Sequence, residues 1–223
     1  MTRTNSIGSN MDIAGFVGLL LYGMTIGVAL AAPVGPINIE IIKRGIQSGY
    51  LQGWLVGLGA LSADTVYAAL IVSGLTPLAD SPTLRVPLFL AGAVMLCYVG
   101  YNSIRSAQTG NEIEGADSVS GRRSYVTGLL MAIFNPMGIV YWLSVGAALV
   151  AEAVGRVGTA GSPVLVGGVF LGILLWVTLL SWLAQVSRRF VTGDGMRWIT
   201  GLGGVALIGF GLWFAYQAFA SAT

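Results

Sequence analysis

Two carboxylates, Glu40 and Asp64, lie within long apolar runs of a chain that has no histidine and a single cysteine, Cys97. An ionisable side chain is expensive to keep in such a segment, so it is by default a candidate for function. Without histidine, any proton relay must use carboxylates, tyrosines or water. One cysteine cannot close an intrachain disulfide, and the apolar runs hold no paired nucleophile and base, which argues against a membrane enzyme. The two acids differ in setting. Glu40 lies one helical turn from the end of its run and four residues before Arg44, the favourable order for a local ion pair at the membrane interface. Asp64 shares one helical face with Gly53, Gly57, Ala60 and Ala68. Small residues there let another helix approach closely. Asp64 is therefore expected to point into a bundle, where it would bind an amine, carry a proton, or accept hydrogen bonds from loosened backbone. Tyr67, Tyr141 and Trp142 are weaker candidates for lining a cavity, since aromatics near span ends are more often interface anchors.

The elements that carry these residues are set by composition. The chain is 55% hydrophobic and 9% charged with a mean hydropathy of +0.81, against roughly 25% charged in a soluble domain. A spanning helix takes about 20 mostly apolar residues, and six segments qualify: Ile13 to Ile42, Gly49 to Val72, Pro87 to Ile104, Tyr125 to Val150, Val164 to Val186 and Arg197 to Ala220. The expected fold is an all-α integral membrane protein of six transmembrane helices, one polytopic domain over residues 1–223. The longest connection runs from Arg105 to Ser124. Net charge is +2 with no basic stripe, which argues against nucleic acid as a partner. Ala29-Leu30-Ala31-Ala32-Pro33 resembles a signal-peptidase site. However, Asp12 offsets Arg3 and the apolar run exceeds the usual h-region, so it is read as a retained span.

Eight basic residues fall in the first, third and fifth connections (Lys43, Arg44, Arg105, Arg122, Arg123, Arg188, Arg189 and Arg197), and three, Arg3, Arg85 and Arg156, fall elsewhere. Short cytoplasmic loops retain Lys and Arg, so both termini are expected outside a bacterial inner membrane. The long third connection divides the chain into a first repeat over about 13–104 and a second over about 125–220. Three spans per half force the second repeat to enter upside down, an arrangement found in transporters. Gly92-Ala93-Val94 with Gly100 aligns with Gly203-Gly204-Val205 with Gly211, and Leu96 with Leu207. Gly45, Gly49, Gly53 and Gly57 recur at every fourth position as a packing seam.

The first and fourth spans are expected to be broken at proline. Pro33, Gly35 and Pro36 interrupt the first, and Asn135-Pro136 interrupts the fourth, 100 positions after Gly35-Pro36. Gly and Asn cap helix starts and Pro suits the first helical position, so each interruption reads as a stop and restart. Unsatisfied backbone is tolerated in lipid only where it is buried in protein or lines a polar cavity. Broken spans at matching positions of two halves point to a substrate site, with helix N-termini aimed at an anionic group. The expected substrate-binding set is Pro33, Gly35, Pro36, Asn38, Asp64, Asn135 and Pro136, with Asp64 and Glu40 as candidates for proton or ion coupling.

Three stretches, Pro33-Val34-Gly35-Pro36-Ile37-Asn38, Gly45-x3-Gly49-x3-Gly53 leading to Gly59 and Asp64, and Phe134-Asn135-Pro136, together resemble the LysE/RhtB (lysine exporter) superfamily of small bacterial exporters. The resemblance runs over nearly the whole chain. It implies proton-coupled export of amino acids or related small solutes, without a cofactor, through a pore built around the two proline breaks. Many members carry lysine after the Asn-Pro of the fourth span, where this chain has Met137. The net negative charge left by Glu40 and Asp64 then favours a zwitterionic or cationic solute. Some relatives are associated with metal ions, so a divalent-cation exporter using Asp64 and Glu40 through hard oxygen ligands is the alternative in transport. A non-transporting structural subunit is the alternative outside it. Glycine seams on the spans are compatible with a homodimer.

Overall fold

The computed structural model of the chain describes residues 13–33, 35–72, 82–109, 120–135, 138, 142, 147–191 and 193–220. Pro136, Met137, Tyr141, Val34 and the centre of the long polar connection lie outside them. The elements are α1 (Ile13–Ala31), α2 (Pro36–Ser48), α3 (Tyr50–Val72), α4 (Pro82–Thr109), α5 (Gly121–Ile133), α6 (Ala147–Ser187) with a terminal 3₁₀ turn (Arg188–Phe190), and α7 (Gly193–Ala220). No strand occurs among the described residues.

Apolar side chains cover the outside of this bundle as well as its inside. Trp198, Leu202, Val205, Leu212, Tyr216 and Phe219 of α7 are all exposed, as are Ile13, Phe16, Val17 and Leu21 of α1. A protein in water does not leave helix faces of this extent uncovered, whereas lipid covers them without penalty. Among the described residues, Ile13–Ala31, Pro163–Phe190 and Asp194–Ala220 are long and apolar enough to cross a membrane. The protein is a multi-pass helical membrane protein.

Glycines set the helix pairings, because they let one backbone reach another. In α1 against α6, the Val169 carbonyl lies where a side chain on Gly27 would be, and the Met24 carbonyl where one on Gly172 would be. In α3 against α5, the Val56 carbonyl occupies the same place at Gly128, and the Tyr125 carbonyl at Gly59. Both pairs run parallel. In α4 against α7, which run antiparallel, a Cβ on Gly100 would sit 2.7 Å from the Gly204 carbonyl and 2.8 Å from Ile208. One on Gly204 would sit 2.7 Å from the Gly100 carbonyl and 2.8 Å from Ile104. Gly100 thus faces Gly204, while Gly211, the residue aligned with Gly100 in the sequence, packs on Cys97 and Ala93.

Three further expectations are corrected. Lys43 and Arg44 are not loop residues: they belong to α2, and the turn into α3 is the single residue Gly49, whose φ of 91° favours glycine. The proposed seam divides at that turn, so that Gly53 packs against Gly45 across the hairpin while Gly57 packs against Val177 of α6. The polar connection expected between Val150 and Val164 is helical throughout, because its Ala, Glu, Val and Arg residues sustain a helix that continues through Pro163. The resulting 41-residue α6 is about 60 Å long, twice the thickness of a bilayer core.

The short helix α2 contacts α3, α5, α6 and α7. Its Ile37 packs against each of the three core clusters: Phe89, Leu96, Leu207 and Phe214 between α4 and α7; Ile41, Val56, Trp142 and Val177 beside α6; and Ala60, Ala63 and Ala132 between α3 and α5.

Candidate functional site

The first apolar run stops at Ala31 and restarts at Pro36. Pro33 disfavours helix at Ala32. Gly35 is extended, with φ −136° and ψ −179°, and Pro36 occupies the first helical position of α2. Breaking a helix leaves its last carbonyls without partners. Asn38 supplies them: its Nδ2 donates to the Ala31 carbonyl at 2.8 Å and to the Pro33 carbonyl at 2.9 Å. The Asn38 side chain is thereby spent on the break itself and splints it. The N–H groups of Ile37 and Asn38 have no partner within α2, since a helix cannot satisfy its own first turn, and they form the positive end of its dipole.

The end of α5 lies on the other side of Ile37. Phe134 N–H donates to the Leu130 carbonyl at 3.0 Å, and Asn135 N–H closes a tighter turn onto Ala132 at 3.1 Å. The freed Ile133 carbonyl accepts from the Tyr67 hydroxyl at 2.7 Å. Among the described residues Asp64, one turn before Tyr67, makes its hydrogen bond to a side chain and not to this backbone: its Oδ1 accepts from Trp142 Nε1 at 2.8 Å. Trp142 is itself buried and stacks on Phe170, with ring centroids 5.8 Å apart, so it is no interface anchor. The Oδ1 of Asn135 is buried and has no hydrogen-bond partner among the described residues. Ile37 and Tyr67 both pack against the cluster of Ala60, Ala63 and Ala132, so the start of α2 and this part of α3 meet a common core beside the end of α5.

Glu40 stands apart from Asp64, and among the described residues the two share no partner. It is completely buried, and its carboxylate pairs with Lys43 and with Arg44, the latter at 2.6 Å through Nε. Arg44 also donates to Ser124 at 2.7 Å and Thr127 at 3.0 Å, and Ser124 donates to Gln52 at 2.6 Å, which ties α2 to α5 and α3. Lys43 donates to Ser103 of α4 at 2.8 Å, and Gln47 to Thr200 of α7 at 2.6 Å. A cavity of about 290 Å³ adjoins this network, where α2 and α4 end and α5 and α7 begin. Lys43, Ser103, Thr127 and Thr200 escaped the sequence reading. The available signal was the Glu40-x2-Lys43-Arg44 spacing, which puts three charges on one face of a helix.

The chain is similar to known proteins over most of its length. The family described as LysE type translocator matches residues 28–218. Among curated proteins, "Putative amino acid efflux protein YcgF" of Bacillus subtilis is 29% identical over 202 residues, 90% of this chain and 97% of that one. The "Chemotactic transduction protein ChpE" of Pseudomonas aeruginosa is 31% identical over 206 residues, 88% of this chain and 99% of that one. The threonine efflux protein of Escherichia coli K12 is 25% identical over 197 residues, covering 83% and 91%. No solved structure matches the chain. With the family match covering most of its length, a helix interrupted at Pro33 and Pro36 and a lipid-covered bundle, the chain belongs to the LysE type translocators, a family of membrane transporters and not of enzymes.

Proposed function

We propose that this protein is a secondary exporter of amino acids or related small zwitterionic or cationic solutes across the bacterial inner membrane, coupled to protons. The observation that carries the reading is the splinted break of the first span, packed through Ile37 against the interrupted end of α5. The names of the matched efflux proteins supply the solute class.

Six spans in two inverted repeats account for the helix contacts. Gly27 and Gly128 are 101 positions apart, as are Met24 and Tyr125; Val56 and Val169 are 113 apart, as are Gly59 and Gly172. The α1–α6 contact is thus the α3–α5 contact with the halves exchanged. The reciprocal approach of Gly100 and Gly204 agrees with a local two-fold between α4 and α7. Parallel pairing of spans one with five and two with four, and antiparallel pairing of three with six, is what alternating passes require. Both termini then lie outside, with the Glu40 network on the cytoplasmic side. In this scheme the α2 dipole end faces the solute carboxylate, Asn135 and the following Pro136 form the matching break, and Asp64 takes the amine or the coupling proton.

A divalent-cation exporter would need Asp64 and Glu40 on one ion, yet they are engaged by different partners. Counterflow in proteoliposomes with a panel of labelled amino acids tests the proposal. Saturable exchange of at least one amino acid is expected, with a pH dependence that Asp64→Asn removes. A protein that exchanges none of the panel, or moves divalent metals in their place, overturns it.

A further inference from the structure

We propose that the cavity beside Glu40 is a second solute site, which captures a small carboxylate from the side of the membrane where α2 ends, before it reaches the broken helices. Three observations point to an anion. Lys43 and Arg44 are almost wholly buried, with 10% and 13% of their side chains exposed, and among the described residues they share a single carboxylate, which leaves one buried positive charge over. Surplus buried charge is costly unless something compensates it, and the adjoining space is where a compensating anion fits. Second, hydrogen-bonding capacity points the same way. Lys43 has three N–H donors, and Glu40 and Ser103 occupy two of them. Third, Arg123 also lines the cavity and has no ion-pair partner among the described residues.

The cavity suits a small zwitterion. At about 290 Å³ it has room for an amino acid with water, and its lining sets hydroxyl and amide groups beside Met95 and Val99. The Oε1 of Gln47, whose Nε2 is committed to Thr200, and the hydroxyl of Thr127 are acceptors for an ammonium group. Glu40 is held by two cations and does not compete for it. The carboxylate is therefore the recognised group and Lys43 its main contact. The assignment of the solute as an amino acid rests on the export reading, while the binding of a carboxylate does not.

The test is thermal stabilisation of the purified full-length protein in neutral-lipid nanodiscs, since a ligand that binds only the folded state raises its melting temperature. The probes are L-leucine, L-threonine and L-arginine, each beside its methyl ester, with sodium sulfate as a plain anion. The free acids are expected to stabilise and the esters not. Lys43→Met, which leaves a balanced Glu40–Arg44 pair, should weaken the response at least tenfold in ligand concentration. The exposed Arg123→Gln should weaken it several-fold. Equal stabilisation by esters, equal stabilisation by sulfate, no stabilisation by any free acid, or a full response in both Lys43→Met and Arg123→Gln overturns the proposal. Counterflow separates the two readings. A protein that exchanges amino acids but gives any of those results refutes this site alone, and one that binds carboxylates here without exchanging them refutes export alone.

Discussion

Glu40→Gln distinguishes a buried charge hub from an ordinary surface pair. The sequence suggests an interfacial salt bridge between Glu40 and Arg44, and such pairs contribute about 0–1 kcal/mol. The structure gives Glu40 no exposure and two cations, themselves only 10% and 13% exposed. Removing the shared carboxylate strands both of them, and loss of one partner from a buried pair typically costs about 3–5 kcal/mol. For a chain of this size each kcal/mol moves the melting temperature by roughly 2–4 °C, so the buried hub predicts a drop of at least about 6 °C and the surface pair no more than about 4 °C. Melting of wild type, Glu40→Gln, Lys43→Met and the double variant closes a cycle. Lys43→Met leaves one anion and one cation and should be mild. The double variant should recover part of the Glu40→Gln loss, with a coupling of about 1–3 kcal/mol. A Glu40→Gln loss within the surface-pair range, or strict additivity in the cycle, would refute the hub.

Asn38→Ala should strand the Ala31 and Pro33 carbonyls and lower stability by about 2–6 kcal/mol, at about 1–3 for each lost partner; thermal unfolding measures it, and Asn38→Asp, which cannot donate, should fare no better. Gly49→Ala forces a side chain onto a φ of 91°, a strain of about 1–3 kcal/mol that the same assay reads. Gly100→Ala and Gly204→Ala, each driving a Cβ to 2.7 Å from the opposing carbonyl, should destabilise about equally and by about 1–3 kcal/mol; a wide disparity between them would count against the two-fold. Asp64→Asn keeps an oxygen to accept from Trp142, so it should fold as the wild type does, within about 1 kcal/mol, and lose only the pH dependence of exchange.

What was legible in the sequence was what neighbouring residues decide. Pro33, Gly35 and Pro36 dictate their own backbone, so the interruption of the first span could be placed to within a few residues. The apolar runs marked helices for the same reason. Asp64 could be assigned to an inward face from its small neighbours, but its partner, Trp142, is 78 positions away and no local rule selects it. Lys43 and Arg44 were read as loop residues because basic residues near the end of an apolar run usually face water. Their burial follows from α2 being a separate short helix enclosed by α3, α5, α6 and α7, which only the assembled bundle reveals. The facing pair of α4 and α7 is equally illegible, because glycines recur in both helices and only the contacting backbones select Gly100 and Gly204.

The length of α2 joins the two polar regions into one path. Its 13 residues span about 20 Å, against a hydrocarbon core of about 30 Å. With Gly49 turning at one surface, Pro36 therefore lies inside the membrane, where exposed helix-start N–H groups persist only against protein or a polar space. Glu40 and Lys43 lie one and two turns further along the same helix, and the cavity opens at its far end. A solute carboxylate released from Lys43 would travel the length of α2 toward the positive end of that helix's own dipole. Lengthening the break should uncouple the two ends: inserting one glycine after Gly35 rotates Asn38 off the Ala31 and Pro33 carbonyls but leaves the Glu40 network within α2. Carboxylate binding should then survive while exchange is lost. Loss of both together would show that the two regions act as a single site.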